Sequence, residues 1–129
     1  MIAEDDSDVR RTMVRALQSA GYEVLESPDA SSAMELLGER GTQVDVLCTD
    51  GIMPGGGTRQ LIEFYLGCRP GGQVIVCSGY VQEELLRRDL DAGAHAYLPK
   101  PFQMSELVER IGSLIEREHP SPGSLRGQA

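Results

Sequence analysis

Short apolar runs alternate with amphipathic helical segments along the chain, and this alternation constrains the fold more than any other feature. Two runs, at 44–49 and 74–77, are rich in β-branched residues and bounded by turn residues, which predicts buried strands. Shorter runs at 1–3, 22–25 and 96–98 predict three further strands. Strands that alternate with helices pair in parallel through right-handed crossovers, so we expect an α/β three-layer sandwich around a five-stranded sheet.

Apolar residues at helical spacing fill the intervals between these strands. They predict five helices, marked by the apolar stripes at 9–20, 30–37, 61–66, 81–90 and 107–115. Asp6 or Ser7 is available to cap the first helix and Asp29 the second, while Gly21 and Gly93 follow helical segments as stops. Residues 119–129 are rich in proline, serine and glycine and show no periodicity. We therefore expect one domain over 1–118 and a disordered tail or linker stub over 119–129.

Composition narrows the classes of function. The formal net charge of −8 argues against direct nucleic-acid binding, and it fits a protein that collects a divalent cation or docks on basic partners. Cys48, Cys68 and Cys77 show no C-x-x-C spacing, which favours buried thiols in a reducing compartment. No apolar run approaches the roughly 20 residues of a membrane span. The expected location is the cytoplasm, with no membrane segment in this chain.

Polar, chemically capable residues end four of the five predicted strands. They are the acidic run at 4–6, Asp50, Ser78 and, just beyond the fifth strand, Lys100. The carboxyl ends of parallel strands share one edge, so these groups should converge on one pocket. Clustered carboxylates suit Mg²⁺, and a lysine and a serine suit phosphoryl oxygens. An aspartate between them could act as a nucleophile toward phosphorus.

Four motifs in order carry a resemblance to a known family. They are EDDSDVR from residue 4, D-x-x-M-P at 50–54, VIVCSGY at 74–80 and YLPKPF at 97–102. Over roughly 1–118 the chain resembles a response-regulator receiver domain of the CheY-like superfamily, including the receivers of hybrid histidine kinases. The resemblance implies a flavodoxin-like (βα)5 fold with strand order 2-1-3-4-5. The short first strand and the linker-like tail favour a piece of a longer protein over a stand-alone receiver.

The resemblance also assigns the metal ligands and the phosphoacceptor. Asp50 is implied as the acceptor of the phosphoryl group. Asp5 is implied as a direct Mg²⁺ ligand, with Glu4 beside it acting through water. The main-chain carbonyl of Ile52 and the carboxylate of Asp50 complete the protein's share of the metal shell.

The same resemblance implies a switch. Ser78 would bind a phosphoryl oxygen and move toward it, Tyr97 would change rotamer with that movement, and Lys100 would pair with the phosphoryl group. The bond from Lys100 to Pro101 is often cis in this family. The face formed by helix 4, strand 5 and helix 5 would bind a downstream effector. Even within the family, Tyr97 is more simply explained as half-buried packing than as a switch.

The expected function is that of a signalling switch rather than a metabolic enzyme. A sensor histidine kinase or histidine phosphotransfer domain would donate phosphoryl to Asp50 with Mg²⁺, and slow self-catalysed hydrolysis would reset the switch. The alternative is a pseudo-receiver that binds partners without phosphorylation. A flavin module is disfavoured because the acidic run at 4–6 would repel the cofactor phosphate. A haloacid-dehalogenase-like phosphatase needs D-x-D, and position 52 is Ile.

One position departs from the family pattern. The family usually has glycine eight residues after the acceptor, where this chain has Thr58, and its glycines come earlier at 55–57. This departure bears on the geometry of the loop more than on its chemistry.

Overall fold

The computed structural model describes residues 1–53, 55–79, 87 and 90–118. Within these residues five strands form one sheet in the order β2-β1-β3-β4-β5, with every neighbouring pair parallel. The strands are β1 (Ile2–Ala3), β2 (Glu26–Ser27), β3 (Val46–Asp50), β4 (Gln73–Ser78) and β5 (Ala96–Pro99). This strand order confirms the predicted flavodoxin-like fold.

Helices cover both faces of the sheet. They are α1 (Ser7–Ser19), α2 (Ala30–Arg40), α3 (Thr58–Cys68) and the C-terminal helix (Met104–Glu118), with a 3-10 turn at Gly41–Gln43. Asp6 and Asp29 cap α1 and α2 by accepting hydrogen bonds from main-chain N–H groups of their first turns. Residue 87 and residues 90–92 are helical, and the rest of the fourth predicted helix lies outside the described residues. So does the predicted tail at 119–129.

The second strand lies later in the chain than the sequence predicts. Residues 22–25 have the apolar pattern of a strand, but the ladder forms at Glu26–Ser27. The reason is the register of β1, in which Ile2 pairs with Glu26 and Ala3 with Ser27. Leu25 takes part only through its carbonyl oxygen, which accepts a hydrogen bond from the N–H of Ile2 at 2.8 Å. Because β2 pairs with β1, and β1 has only two residues, the ladder includes only Glu26 and Ser27 of the second strand.

Side chains of the central strands divide between two hydrophobic clusters. Along β4, Ile75 and Cys77 pack on the side of α1 and the C-terminal helix, whereas Val74 and Val76 pack on the side of α2 and α3. This alternation follows the two-residue period of a strand. All five residues from Val46 to Asp50 are buried, as expected for a central strand covered on both faces.

Cys48 and Cys77 belong to the core, in agreement with their interpretation as buried thiols. Their Sγ atoms lie 3.5 Å apart, and both cysteines are free. The hydrogen bond with Cys48, together with burial, raises the pKa of Cys77 well above its ordinary value. Its thiol therefore stays protonated at neutral pH. Across the described part of the chain, no helix has both the length and the apolar character that crossing a membrane requires.

Candidate functional site

Three charged side chains meet at the carboxyl edge of the sheet. Glu4 directly follows β1, Asp50 ends β3, and Lys100 directly follows β5. The ammonium group of Lys100 lies 2.7 Å from Oε1 of Glu4 and 3.3 Å from Oδ2 of Asp50. Glu4 is 2% exposed and Asp50 9%. The parallel topology thus brings together groups that are up to 96 positions apart in the sequence.

Burial and charge act on the pKa values of this cluster in opposite directions. Burial raises the pKa of Glu4, the hydrogen bond with Asp50 raises it further, and Lys100 only partly offsets both. For Lys100, burial lowers the pKa, but the hydrogen bond with Glu4 and the nearby charge of Asp50 outweigh burial and raise it overall. The lysine is therefore held as a cation between the two carboxylates.

The acidic residues also form a cluster that suits a metal ion. Carboxylate oxygens of Glu4, Asp5 and Asp50 all lie within 4.8 Å of one another. Among the described residues, Oε2 of Glu4 is buried without a hydrogen-bond partner. A buried carboxylate oxygen without a partner is costly, and a cation would relieve that cost. The donor set is oxygen only, which fits Mg²⁺.

The loop after Asp50 turns sharply toward α3. The N–H of Ile52 lies 3.4 Å from Oδ1 of Asp50, and its side chain is exposed. Gly55, Gly56 and Gly57 all have positive φ angles, of 81°, 72° and 96°. Only glycine adopts this conformation readily. At Gly57 an added Cβ would also lie 2.9 Å from the Cβ of Ala30.

Ser78 and Tyr97 lie beside the charged cluster and are joined to each other. Ser78 ends β4, is 2% exposed, and follows Cys77, the register partner of Asp50. Its main-chain carbonyl oxygen accepts hydrogen bonds from the hydroxyl of Tyr97 at 3.0 Å and from the N–H of Lys100 at 2.9 Å. The peptide bond from Lys100 to Pro101 is cis. One carbonyl group thus connects the ends of β4 and β5.

Two buried threonines that the sequence patterns did not assign to the site contact its main chain. The hydroxyl of Thr49 donates to the carbonyl oxygen of Asp50 at 3.0 Å. The hydroxyl of Thr58 lies 3.1 Å from the same oxygen and 3.2 Å from the carbonyl oxygen of Gly51. For Thr58 the departure from the glycine usual at this position was the available signal. For Thr49, inside a strand, the sequence gives no signal.

Fold and site together define a flavodoxin-like α/β domain with a lysine-paired acidic pocket at the carboxyl edge of its sheet. Comparison with known families identifies that domain. The family described as "Response regulator receiver domain" matches residues 1–112. The chain belongs to this family, and it is a receiver domain, the signalling switch domain of two-component systems.

Curated relatives contain this domain as part of longer chains. The chain is 34% identical over 119 residues to the sensor kinase CckA of Brucella abortus (strain 2308), covering 92% of itself and 12% of that protein. It is 32% identical over 115 residues to the DNA-binding transcriptional regulator NtrC of Bradyrhizobium sp. (strain RP501 Parasponia), covering 89% of itself and 24% of that protein. The chain thus spans a small part of the length of these relatives.

Solved structures agree with the family assignment. A CheY-like response regulator receiver domain protein from Methanospirillum hungatei JF-1 aligns with a TM-score of 0.81 at 26% identity, covering 91% of this chain and 92% of that chain. The receiver domain of the hybrid histidine kinase CckA aligns with a TM-score of 0.75 at 31% identity, covering 88% and 95%.

Proposed function

We propose that Asp50 is the phosphoacceptor of a two-component phosphorelay. The observation that carries this proposal is the position of Lys100, whose ammonium group contacts the carboxylates of both Asp50 and Glu4. A cation in contact with the acceptor is suitably placed to neutralise a phosphoryl group attached there. Within this pocket Asp50 ends a fully buried strand, which holds its carboxylate in a fixed position.

The transfer reaction follows from these groups. An oxygen of Asp50 attacks the phosphorus atom of a phosphohistidine, a P–O bond forms, and the P–N bond to the donor imidazole breaks. The imidazole leaves with the electron pair of that bond and takes up a proton. Glu4, Asp5, Asp50 and the carbonyl of Ile52 would hold Mg²⁺, which neutralises charge on the carboxylates and phosphoryl oxygens when bound. Hydrolysis of the acyl phosphate resets Asp50.

Phosphorylation would act on the rest of the molecule through Ser78 and Tyr97. A phosphoryl group on Asp50 presents new acceptor oxygens to the hydroxyl of Ser78 and to Lys100. Movement of Ser78 changes the position of its carbonyl oxygen, to which the Tyr97 hydroxyl and the Lys100 N–H both donate. Tyr97 would then change rotamer and alter the face formed by the fourth predicted helix, β5 and the C-terminal helix. A downstream effector would bind this face.

The partners follow from the same proposal. The donor would be a sensor histidine kinase or a histidine phosphotransfer domain, in keeping with the likeness to a sensor kinase and to a transcriptional regulator. We assign residues 1–118 to the receiver domain and 119–129 to a tail or linker. The cytoplasmic location and the absence of direct nucleic-acid binding remain predictions from the sequence.

Labelling by acetyl phosphate tests the acceptor. Wild-type protein with Mg²⁺ should gain the mass of one phosphoryl group, and Asp50→Asn should gain none because the amide is not a nucleophile toward phosphorus. Asp45→Asn is the matched control, since Asp45 pairs with Arg69 outside the cluster, and it should label normally.

Two results would contradict the proposal. Equal labelling of Asp50→Asn and wild type would show that another group accepts the phosphoryl. A wild-type protein that neither acetyl phosphate nor a phosphorylated histidine kinase labels would support the pseudo-receiver alternative instead.

A further inference from the structure

The hydroxyl of Thr58 contacts the main chain on both sides of Gly51. It lies 3.1 Å from the carbonyl oxygen of Asp50 and 3.2 Å from that of Gly51. Thr58 is 7% exposed and is the first residue of α3. Each carbonyl oxygen lies in the plane of its peptide bond. One buried hydroxyl therefore restrains the orientation of two consecutive peptide planes directly after the proposed phosphoacceptor.

Those two planes determine where the next residue points. The Gly51–Ile52 peptide carries the N–H that faces Oδ1 of Asp50 at 3.4 Å. Together with the torsion angles of Ile52 itself, this peptide plane sets the direction of the Ile52 carbonyl, which we assign to the metal shell. Gly51 has no side chain to restrict its torsion angles. The orientation of Ile52 therefore depends on the hydrogen bonds of this segment. They are the contact of its own N–H with Asp50, the bond from the Gly51 N–H to the carbonyl oxygen of Cys77 at 3.1 Å, and the contacts of the Thr58 hydroxyl.

In the described part of the loop, restraint comes mainly from Met53, whose side chain is buried in the core and whose carbonyl oxygen accepts a hydrogen bond from the Gly56 N–H at 2.9 Å. Gly55, Gly56 and Gly57 offer no side-chain contacts, and each has a positive φ angle. Gly57 precedes α3 as its N-cap residue without a side-chain capping bond. Three such glycines have a large conformational freedom to lose. Thr58 is the residue at which the loop is tied back to the strand that carries Asp50.

We propose that Thr58 is a positioning residue, whose hydroxyl orients the Asp50–Gly51–Ile52 segment for Mg²⁺ binding. This proposal rests on the proposed function of Asp50 and deepens it. Thr58 touches neither the reacting carboxylate nor the metal ligand itself. It acts through the two main-chain carbonyl groups, as an outer-shell partner acts on a metal ligand.

Thr49 provides a matched control within the chain. Its hydroxyl also donates to the carbonyl oxygen of Asp50, at 3.0 Å, and Thr49 is fully buried. Among the described residues, Thr49 makes no hydrogen bond to the carbonyl oxygen of Gly51 that would match the contact of Thr58. Thr49→Val and Thr58→Val therefore remove the same kind of group from the same acceptor, but only the second also releases the Gly51 carbonyl.

The experiment compares Mg²⁺ binding by wild type, Thr58→Val, Thr58→Ser and Thr49→Val in the unphosphorylated state. Titrations are followed by the NMR shifts of the Gly51 and Ile52 amides. We expect the Kd for Mg²⁺ to rise about tenfold in Thr58→Val and to return to within about twofold of wild type in Thr58→Ser. Thr49→Val should stay within about twofold of wild type because Thr58 still holds both carbonyls.

Labelling kinetics add a second readout. In Thr58→Val the Mg²⁺ concentration for half-maximal labelling by acetyl phosphate should rise with the Kd. The rate at saturating Mg²⁺ should stay within about twofold of wild type, because Asp50 and Lys100 are unchanged. In the metal-free protein, amide hydrogen exchange at Ile52 should be faster than in wild type. Thermal unfolding identifies any variant that fails to fold, in which case Thr58→Ala replaces Thr58→Val.

Each contrary result has a definite meaning. Wild-type Mg²⁺ affinity in Thr58→Val would overturn the positioning role while leaving Asp50 as the acceptor. Equal losses of Mg²⁺ affinity in Thr49→Val and Thr58→Val would show that the contact of Thr58 with Gly51 is irrelevant. That result would also overturn the positioning role of Thr58. Wild-type protein that binds Mg²⁺ but takes no label at Asp50 would instead refute the proposed function, and the Mg²⁺ titrations would still test Thr58.

Discussion

The two ends of β1 each bury an amine, but in opposite surroundings. At the carboxyl end the ammonium group of Lys100 lies between Glu4 and Asp50, at 2.7 and 3.3 Å. At the amino end the α-amine of Met1 donates to the carbonyl oxygen of Val46 at 2.8 Å. The first amine faces two carboxylates at close range, whereas the second faces a neutral carbonyl group.

The pKa values of the two amines shift in opposite directions. Burial lowers the pKa of the Met1 amine from 8.0 to about 6, and the negative charge of Asp45 only partly opposes it. Burial also lowers the pKa of Lys100, but the contacts with Glu4 and Asp50 reverse the result and raise it. Burial therefore favours the neutral form of the Met1 amine at the amino edge of the sheet. At the carboxyl edge the two carboxylates keep Lys100 positively charged. Only the carboxyl edge can hold a cation beside a phosphoryl group.

The largest expected effect concerns the pH dependence of stability at the amino end. The unfolded chain binds a proton at the Met1 amine below about pH 8, and the folded chain binds it only below about 6. The free energy of unfolding should therefore fall by about 3 kcal/mol as the pH falls through this window. Urea unfolding of the free and Nα-acetylated proteins at several pH values measures the difference. Acetylation of the Met1 amine should abolish this part of the pH dependence of the free energy of unfolding.

A cavity of about 500 Å³ at this end of the sheet is lined in part by Met1, Val24 and Ile111. The two forms of the protein differ only at the α-amine, so the contributions of all other groups cancel in the comparison. Identical pH dependence of the free and acetylated proteins would show that the Met1 amine is not desolvated, and the contrast between the two ends would fail.

A smaller effect is expected when the cation is removed from the carboxyl end. Lys100→Met leaves the carboxylate of Glu4 buried without its ion pair, and should lower the free energy of unfolding by about 2 kcal/mol. Solvent reaches part of Lys100, so the loss is below that of a fully buried pair. Urea unfolding at neutral pH measures it. Because the carboxylates remain, Mg²⁺ should still bind and should recover part of the lost stability.

The control for this variant is Arg69→Met. Arg69 pairs with Asp45 at 3.0 Å, near the opposite end of the sheet, and the side chain of Asp45 is 44% exposed. Arg69 also donates a hydrogen bond to the carbonyl oxygen of Thr42. Loss of both contacts should lower the free energy of unfolding by about 1 kcal/mol. Equal costs for Lys100→Met and Arg69→Met would mean that the Lys100 pair is no stronger than a surface ion pair.

The smallest effects compare a tyrosine hydroxyl at each end. Tyr65 is fully buried and donates to the carbonyl oxygen of Val44 at 2.6 Å, whereas half-buried Tyr97 donates to that of Ser78 at 3.0 Å. Tyr65→Phe should cost about 1 kcal/mol and Tyr97→Phe less, because solvent can partly replace the hydroxyl of Tyr97. Thermal unfolding, checked by urea unfolding, measures the loss of stability in each variant. The reverse order would show that the carboxyl edge is the more rigid one.

Much of the fold and of the site was predictable because the position of a residue at a strand end fixes the edge of the sheet on which it lies. In a parallel sheet, any residue at a carboxyl end lies on one known edge, and the sequence marked Asp50, Ser78 and Lys100 in this way. The α-helical caps at Asp6 and Asp29 are also local and were predicted. The position of β2 was predicted wrongly, because its residues were decided by pairing with β1 rather than by their own apolar pattern.

By itself the sequence determined the alternation of strands and helices, and hence the parallel sheet and the edge at which its polar residues gather. Periodicity assigns a residue to a face or an end but says nothing about its distance from a residue 96 positions away. Only the tertiary structure decided that Lys100 contacts Glu4 as well as Asp50, and that Thr58 reaches the carbonyls around Gly51. Those contacts depend on the register between strands and on the path of a glycine loop, which only the packing of the whole chain determines.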